Sequence, residues 1–468
     1  MKKTQSKITK TNLKGAIMIR NNIKEITKEK LESLRTSKYW EEELETLSRE
    51  EIEKLQLHEL KNILVHAYEN SEYYRKSFDE NLLDPYEFSS LEELANYPFI
   101  NKKTERDTQH KGSFLGQMAC TSEDDVVFIS ASSGSTGIPT ISPFTQQDLD
   151  EFQNVESRFF YQIGMRKSDR YVHALNFSLF VGGPDVIGAQ NVGALCIWAG
   201  TIPSEKLLNI IVNYKPTIIW TTPSYAWYLG ETAKKHGYDP KELSLKKIIV
   251  AGEPGGSINA TREKIEELWD ADLYDFYGLS DIFGACAAMC EQKDGLHIAE
   301  DQILVEVIDP ETGKVLPEGE VGELVFTSLR KQARPMIRFR TGDIGYVNKQ
   351  RCKCGRTSTR IYIIGRLDDM FIVSGVNVFP SDVEHAIRQV EGITGEYRIR
   401  FFDKNLSTAY SVEVEKNDNI TDVEALRENI WKELKVRLGV KPHEIIIHED
   451  GYLPRQTHKA NRVIDERK

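Results

Sequence analysis

The stretch Ser130-Ala-Ser-Ser-Gly-Ser-Thr-Gly-Ile-Pro-Thr140 constrains this chain more than any other. It follows directly on the apolar, β-branched run Val126-Val-Phe-Ile129. Such a run ending in Gly, Ser and Thr reads as a strand feeding a tight loop. Glycines let a backbone approach an anion closely, and amides and hydroxyls supply donors without bulk. The loop suits a nucleotide phosphate. It is not a P-loop, because no Gly-Lys-Ser/Thr follows. Taken by itself, the segment has a second reading, a flexible Ser/Gly connector.

The rest of the chain is long enough to build a fold around that loop. Its 468 residues predict two or three domains, and a hydrophobic fraction of 40% supports a sizeable core. The net charge of −11 argues against a nucleic-acid backbone as the main partner, although a small polyanion can still be held by a few local donors. No apolar run is long enough to span a bilayer, so no membrane partner is expected. The stretch Met1 to Asn22 is polar and Lys-rich, without the apolar region of a secretory signal. The cysteines at 120, 196, 286, 290, 352 and 354 are too sparse for a disulfide scaffold. Together these features predict a cytoplasmic protein.

Three regions follow from the patterning. Residues 1–97 read as a helical lead-in packed on a larger body, with Leu55, Leu57, Leu60, Ile63 and Leu64 at helical spacing. Residues 98–366 alternate short apolar runs with helical stretches, as at Ala194–Trp198, Ile218–Trp220 and Lys247–Val250. That alternation predicts an α/β domain with a substantial sheet. A β-rich section follows at Ile303–Ile308 and Gly322–Thr327, with the turn Asp309-Pro-Glu-Thr-Gly313 between them. Residues 367–468 read as a separate small α+β domain of βαββαβ order, from Met370–Val373 to Glu444–His448.

Six segments, in order, resemble the adenylate-forming (acyl-CoA synthetase) superfamily. They are the loop at 130–140, Ala251-Gly-Glu-Pro254, Tyr277-Gly-Leu-Ser-Asp281, Arg340-Thr-Gly-Asp343, Gly365-Arg-Leu-Asp-Asp369 and Lys459 in His458-Lys-Ala-Asn-Arg-Val463. Within it the chain is similar to the phenylacetate–CoA ligase family, whose hallmarks stand here as Tyr-Gly-Leu-Ser, Asp294-Gly-Leu-His297 and Phe379-Pro-Ser-Asp-Val-Glu384. The resemblance covers nearly the whole chain. It implies an α/β fold: a large multi-sheet N-terminal adenylation domain with a small mobile α+β C-terminal lid. It also implies ATP-dependent conversion of a carboxylic acid, an aromatic one, to an acyl-adenylate with release of pyrophosphate, then transfer to the thiol of coenzyme A.

The same resemblance distributes roles. Ser132, Ser133, Gly134, Ser135, Thr136 and Gly137 would hold the β- and γ-phosphates of ATP. Gly252, Glu253, Pro254, Tyr277, Gly278 and Ser280 would form the adenine and AMP wall, with the Tyr277 ring on the base. Asp281 stands where the family usually has the Mg²⁺-binding glutamate. Asp343 would accept the ribose hydroxyls and Arg366 would contact ribose or phosphate. Lys459 would bridge the carboxylate and the α-phosphate. Asp368 matches the hinge of the rotating lid, and Gly375 the thiol tunnel, though Gly375 alone reads equally as a turn glycine. Ile138 departs from the family's usual Gly-Lys-Pro, so a basic phosphate partner is missing there. Acceptors other than coenzyme A stay open, namely a carrier-protein phosphopantetheine or an amine. So does a nucleotide-binding regulatory protein without turnover.

Two further groupings complete the inventory. Cys290-x₆-His297 followed by Cys352-Lys-Cys354 offers three thiolates and one imidazole, a closed tetrahedral set for structural Zn²⁺. Buried free thiols beside an unrelated histidine are the alternative. Cys120, Cys196 and Cys286 read as packing. His173, Phe177 and Tyr225 are candidates for the acyl pocket by resemblance, and read equally as core residues. A homodimer is compatible with all of this.

Overall fold

The computed structural model describes residues 37–109, 111–131, 139–177, 182–373, 376–404, 407–455 and 462–467. Leucines and isoleucines at helical spacing put one apolar stripe on the helix Arg49–Asn70, which buries Leu55, Leu60, Ile63 and Leu64. Ser48 opens that helix with a capping box, and its partner in the box is Glu51. At the other end Ser71 terminates it and caps the next helix, Glu72–Glu80, by accepting from the Tyr74 amide.

An 11-stranded sheet forms the centre of the molecule. Its first half is parallel: Leu195–Trp198, Arg170–His173, Ile218–Thr221, Lys247–Val250 and Asp272–Leu279 lie side by side. Helices fill both faces, as a parallel sheet requires. Gln146–Gln162 and Gly182–Val192 pack over Tyr171, Trp220 and Phe276. Pro223–Lys235 and Asn259–Trp269 pack over Val172, Ile219 and Ile248 on the opposite face. The second half is antiparallel and takes in Ile303–Ile308, Gly322–Ser328, Phe339–Asn348 and Arg360–Arg366.

The change of pairing occurs within the strand Asp272–Leu279. Its first residues pair in parallel with Lys247–Val250, and Phe276 to Leu279 pair antiparallel with Phe283–Ala288. Ligands of α/β sheets collect beyond the carboxyl ends of parallel strands, where the order switches. Separately, Val126–Ala131 and Ile141–Thr145 form a two-stranded antiparallel pair.

The C-terminal region has its own six-stranded sheet and its own core, with Ile399, Tyr410, Val412 and Ile430 fully buried. Asp422 caps the helix Val423–Leu438 and Gly439, at φ 72°, closes it. Short strands at Val376–Val378 and Val463–Asp465 add to the expected elements. Both have only three residues, too few for a periodic signal. This unit docks on the large one through Thr261, whose hydroxyl donates to Glu384 at 2.9 Å. Lys264 Nζ also reaches the Val390 carbonyl at 3.1 Å, and the Arg388 guanidinium stacks over Trp227 at 4.4 Å. The architecture is therefore mixed α/β, with a large multi-sheet region and a smaller C-terminal unit.

Candidate functional site

The switch strand carries the first site residues. Gly278 has no room for a side chain, because a Cβ there would collide with the Gly284 carbonyl. Tyr277 next to it turns its hydroxyl to Asp343 Oδ2 at 2.5 Å. Burial raises the Tyr277 phenol well above its ordinary pKa, and the Asp343 charge adds to this. The phenol is therefore a standing donor. Asp343 lies directly opposite Arg366 in the pairing of Phe339–Asn348 with Arg360–Arg366. Arg366 donates to Asp343 Oδ1 at 3.1 Å and forks onto Asp368 at 2.8 and 3.1 Å. Gly342 adopts φ 75°, the left-handed conformation that this turn requires.

Arg366 and Asp368 open into a cleft of about 550 Å³ between the two units, lined also by Ser224, Glu253, Pro254 and Arg462. Gly252, at φ 89°, faces open space. Glu253 Oε1 accepts from the Ser224 amide at 2.8 Å, which aligns the Glu-Pro segment along the cleft wall.

Asp281 closes the segment that Tyr277 and Gly278 open. Burial acts to raise its pKa, but Lys102 and Arg334 outweigh it and hold the carboxyl below its ordinary value. Lys102 makes a close ion pair with Asp281 and approaches Thr140 Oγ1 at 3.5 Å. Glu105 stands beside the same pair, and burial together with the Asp281 charge pushes it up to about 7. Both legs of the two-stranded pair are tied here. Ser130 Oγ donates to the Ser280 carbonyl at 3.3 Å, and Ser142 Oγ to the Asp281 carbonyl at 3.4 Å. Gln109 holds the second leg through the Pro139 carbonyl and the Ile141 amide. Ser132, Ser133, Gly134, Ser135, Thr136 and Gly137 lie outside the described residues, as do Gly375 and Lys459.

Cys290, His297, Cys352 and Cys354 come together although up to 64 positions separate them in sequence (354 − 290). Their ligand atoms all lie within 4.8 Å of one another, and all four residues are buried. Cys290 Sγ is 3.8 Å from Cys352 Sγ, and Cys354 Sγ is 3.5 Å from His297 Nε2. A tetrahedral zinc with bonds of about 2.3 Å to sulfur separates neighbouring sulfurs by roughly 3.8 Å. His297 Nδ1 is held by Ser358 Oγ at 2.9 Å, which leaves Nε2 facing the sulfurs. The Gln292 and Arg356 amides donate to Cys290 and Cys354 sulfur. The donor set thus fits a closed four-ligand ion. Cys286 donates instead to the Tyr277 carbonyl, and Cys120 and Cys196 contact Met118 and Ala194 carbonyls.

Of the acyl-pocket candidates, His173 and Phe177 stand together, stacked at 5.0 Å, with Trp198 beyond Phe177 at 5.7 Å. Tyr225 is not with them. It is buried among Val172, Ile219 and Leu229 on the opposite face of the sheet, its hydroxyl 3.0 Å from Ser204 Oγ. Period-2 alternation explains the split: His173 and Val172 are chain neighbours and point to opposite faces. Lys102 and Glu105 are residues that the motifs did not reveal. Their only sequence signal is an acid three positions after a lysine on the short helix Lys102–Gln109, a spacing common on any solvated helix.

Comparison with known proteins adds the following. The family described as AMP-binding enzyme matches residues 46–329, and the AMP-binding enzyme C-terminal domain matches residues 375–467. A phenylacetate-coenzyme A ligase of Thermus thermophilus is 35% identical over 453 residues, covering 92% of this chain and 100% of the relative. The Escherichia coli phenylacetate-coenzyme A ligase is 35% identical over 86% of this chain and 92% of its own length. Among solved structures, 2-hydroxyisobutyryl-CoA ligase in the postadenylation state, in complex with 2-HIB-AMP, superposes with a TM-score of 0.87 at 29% identity, covering 92% of this chain and 93% of that one. The same ligase with 2-HIB-AMP and CoA in the thioesterification state gives 0.69 at 30% identity, over the same shares of the two chains. The arrangement of the two units here thus follows the postadenylation state more closely.

Proposed function

The chain belongs to the AMP-binding enzyme family, and from that premise we propose that it activates a carboxylic acid with ATP and passes the acyl group to coenzyme A. The observation that carries this reading is the hydrogen-bonded line Tyr277–Asp343–Arg366, set at the sheet's switch point on the edge of the cleft between the two units. A carboxylate oxygen of the acid attacks the α-phosphorus, the bond to the bridging oxygen breaks, and pyrophosphate leaves with its electron pair. Both reactants are anionic, so the site must offset their repulsion.

The roles rest on the placements for the described residues and on the family resemblance for Ser132 to Gly137, Gly375 and Lys459. Asp343 retains acceptor capacity beyond the bonds from Tyr277 and Arg366, and it accepts the ribose hydroxyls. The Tyr277 ring, with Gly278 and Glu253-Pro254, walls the adenine. Ser132 to Gly137 cradle the β- and γ-phosphates, positioned by flanks tied to Ser280 and Asp281. Asp281, kept ionised at that place, holds Mg²⁺, which neutralises phosphate charge when bound. Lys459 neutralises the charge that develops between acid and α-phosphate. Asp368 is the hinge about which residues 367–468 turn for the thiol step, and Gly375 borders the thiol path. The better overlap with a neighbour's postadenylation state supports an arrangement that changes between the steps. Cys290, His297, Cys352 and Cys354 hold a structural zinc with no open position for chemistry. The stacked rings of His173, Phe177 and Trp198 form one wall of the acyl pocket.

ATP–pyrophosphate exchange across a panel of carboxylic acids, followed by acyl transfer with and without CoA, tests the reading. Acid-dependent exchange and CoA-dependent thioester are expected. Exchange without thioester, relieved by a carrier-protein phosphopantetheine or an amine, would reassign the acceptor. Nucleotide binding with no acid-dependent exchange would make the chain a regulatory protein.

A further inference from the structure

Two carboxyl groups are buried without a cation on two helices that pack together over the central sheet. Asp185 lies in the first turn of the helix Gly182–Val192, and Glu156 on the helix Gln146–Gln162 that packs against it. They are 3% and 0% exposed. Glu156 Oε1 accepts the Ala285 amide at 3.0 Å, but Glu156 Oε2 and Asp185 Oδ1 have no hydrogen-bond partner. No Lys or Arg among the described residues pairs with either carboxyl. A buried carboxylate is ordinarily paired, because the cost of removing it from water is not otherwise offset.

Two more unmet polar atoms lie on the parallel strands that these helices cover. His173 Nε2 and Trp220 Nε1 are buried and unpartnered, at the carboxyl ends of adjacent parallel strands. His173 Nδ1 is engaged by the Tyr171 hydroxyl at 2.5 Å, and the charges of Asp185 and Glu156 both reach that hydroxyl. Burial holds the His173 imidazole down to about 3, so it is neutral and cannot supply the missing cation. In front of Asp185 the chain carries glycine. A Cβ on Gly284 would stand 2.2 Å from Phe152 Cζ and 2.7 Å from Asp185 Oδ1, and the Gly284 carbonyl faces Gly278 of the AMP wall. One strand therefore separates the unpaired carboxyl from the segment assigned to the adenylate.

We propose that Asp185 and Glu156 are the specificity-determining residues of the acyl pocket, and that the acid activated here carries a protonated amine at the end remote from its carboxylate. The ammonium balances one carboxylate, the other carboxyl keeping its proton, and offers three donors for their open oxygens. This rests on the ligase reading, since it places the reacting carboxylate toward ATP and the tail toward Asp185. Burial raises both carboxyls well above the usual range, so without that cation they hold protons instead.

ATP–pyrophosphate exchange with two matched trios tests it: β-alanine, β-hydroxypropanoate and butanoate, and para-aminomethylbenzoate, para-hydroxymethylbenzoate and para-ethylbenzoate. In at least one trio the amine is expected to exceed the alkyl member by about 100-fold in kcat/KM, with the hydroxyl member between them. Asp185→Asn, and independently Glu156→Gln, should bring that ratio to within about tenfold of unity. A folding defect lowers both members alike and leaves the ratio standing. Equal or better exchange with the alkyl or hydroxyl members, or a ratio untouched by both variants, overturns the amine assignment while the ligase reading survives. If neither trio nor phenylacetate supports any exchange, the ligase reading fails and takes this inference with it.

Discussion

The Tyr277 hydroxyl lies 2.5 Å from Asp343 Oδ2, a bond between strands that are not neighbours in the sheet. It fixes the carboxylate from one side while Arg366 holds it from the other at 3.1 Å. A ribose arriving at Asp343 therefore meets an acceptor whose orientation is already set, which lowers the ordering cost of binding.

Tyr277→Phe keeps the ring and removes this bond. A hydrogen bond to a charged group contributes about 1.5 kcal/mol or somewhat more. The KM for ATP should rise about tenfold, with a small fall in melting temperature. Asp343→Ala should cost far more, on the order of 10²-fold in the exchange rate, because it also leaves Arg366 without its buried partner. Steady-state exchange kinetics on both variants, beside a melting curve, provide the check. Equal KM values in Tyr277→Phe and the parent would show that the bond does not position the ribose acceptor.

Lys459→Ala should slow adenylation on the order of 10²–10³-fold while sparing thioester formation from supplied acyl-adenylate. The reason is that its charge is needed only while negative charge builds between carboxylate and α-phosphate. Measuring the two half-reactions separately decides this, and equal losses in both would remove Lys459 from the first step.

Asp368→Pro should give the reverse pattern. Proline locks φ, so the chain at 368 could not absorb a rotation of the C-terminal unit. Arg366 would also lose its forked partner, though that pair is exposed and worth little. Acid-dependent exchange should persist and CoA transfer should fall. Normal rates in both half-reactions would place the hinge elsewhere.

The purified protein should contain about one zinc per chain. Cys352→Ser should lower both metal content and melting temperature, since such sites couple to folding. Elemental analysis with calorimetry reads both. Cys286→Ser is the control: its sulfur bonds the Tyr277 carbonyl and should leave zinc unchanged. A fully stable, metal-free parent protein would dismiss the ion.

Much of the nucleotide side was legible in local segments. Tyr277-Gly278, Asp343 and Arg366 sit in short motifs whose spacing carries information; Asp343 and Arg366 face each other on adjoining strands, and Tyr277 reaches them from a strand further along the same sheet. The Cys/His set was legible because thiolates and imidazole have few other reasons to recur in pairs. Lys102, Glu105, Asp185 and Glu156 were not legible. Lys102, Glu105 and Glu156 are lone charged residues on amphipathic helices, where the usual reading is a solvated face, and Asp185 reads as an ordinary acid in the first turn of a helix. Only long-range packing shows that Asp281 covers one pair and that helices and sheet bury the other.

What the sequence determined by itself is local: period-2 and helical apolar patterns, glycines where a backbone must turn left-handed or pass close to another, and ligand types at characteristic intervals. These depend on interactions within a few residues, so they survive being read in one dimension. Which face of the sheet a residue occupies across elements was decided only by the tertiary structure. Val172 and His173 are adjacent in the chain, yet Val172 joins Tyr225 in one core while His173 faces Phe177 in the other layer. Desolvation, too, is a property of the assembled fold. Asp185 is an ordinary acid in the sequence, and only packing against Gln146–Gln162 and Gly284 takes it out of water and leaves an oxygen unpaired.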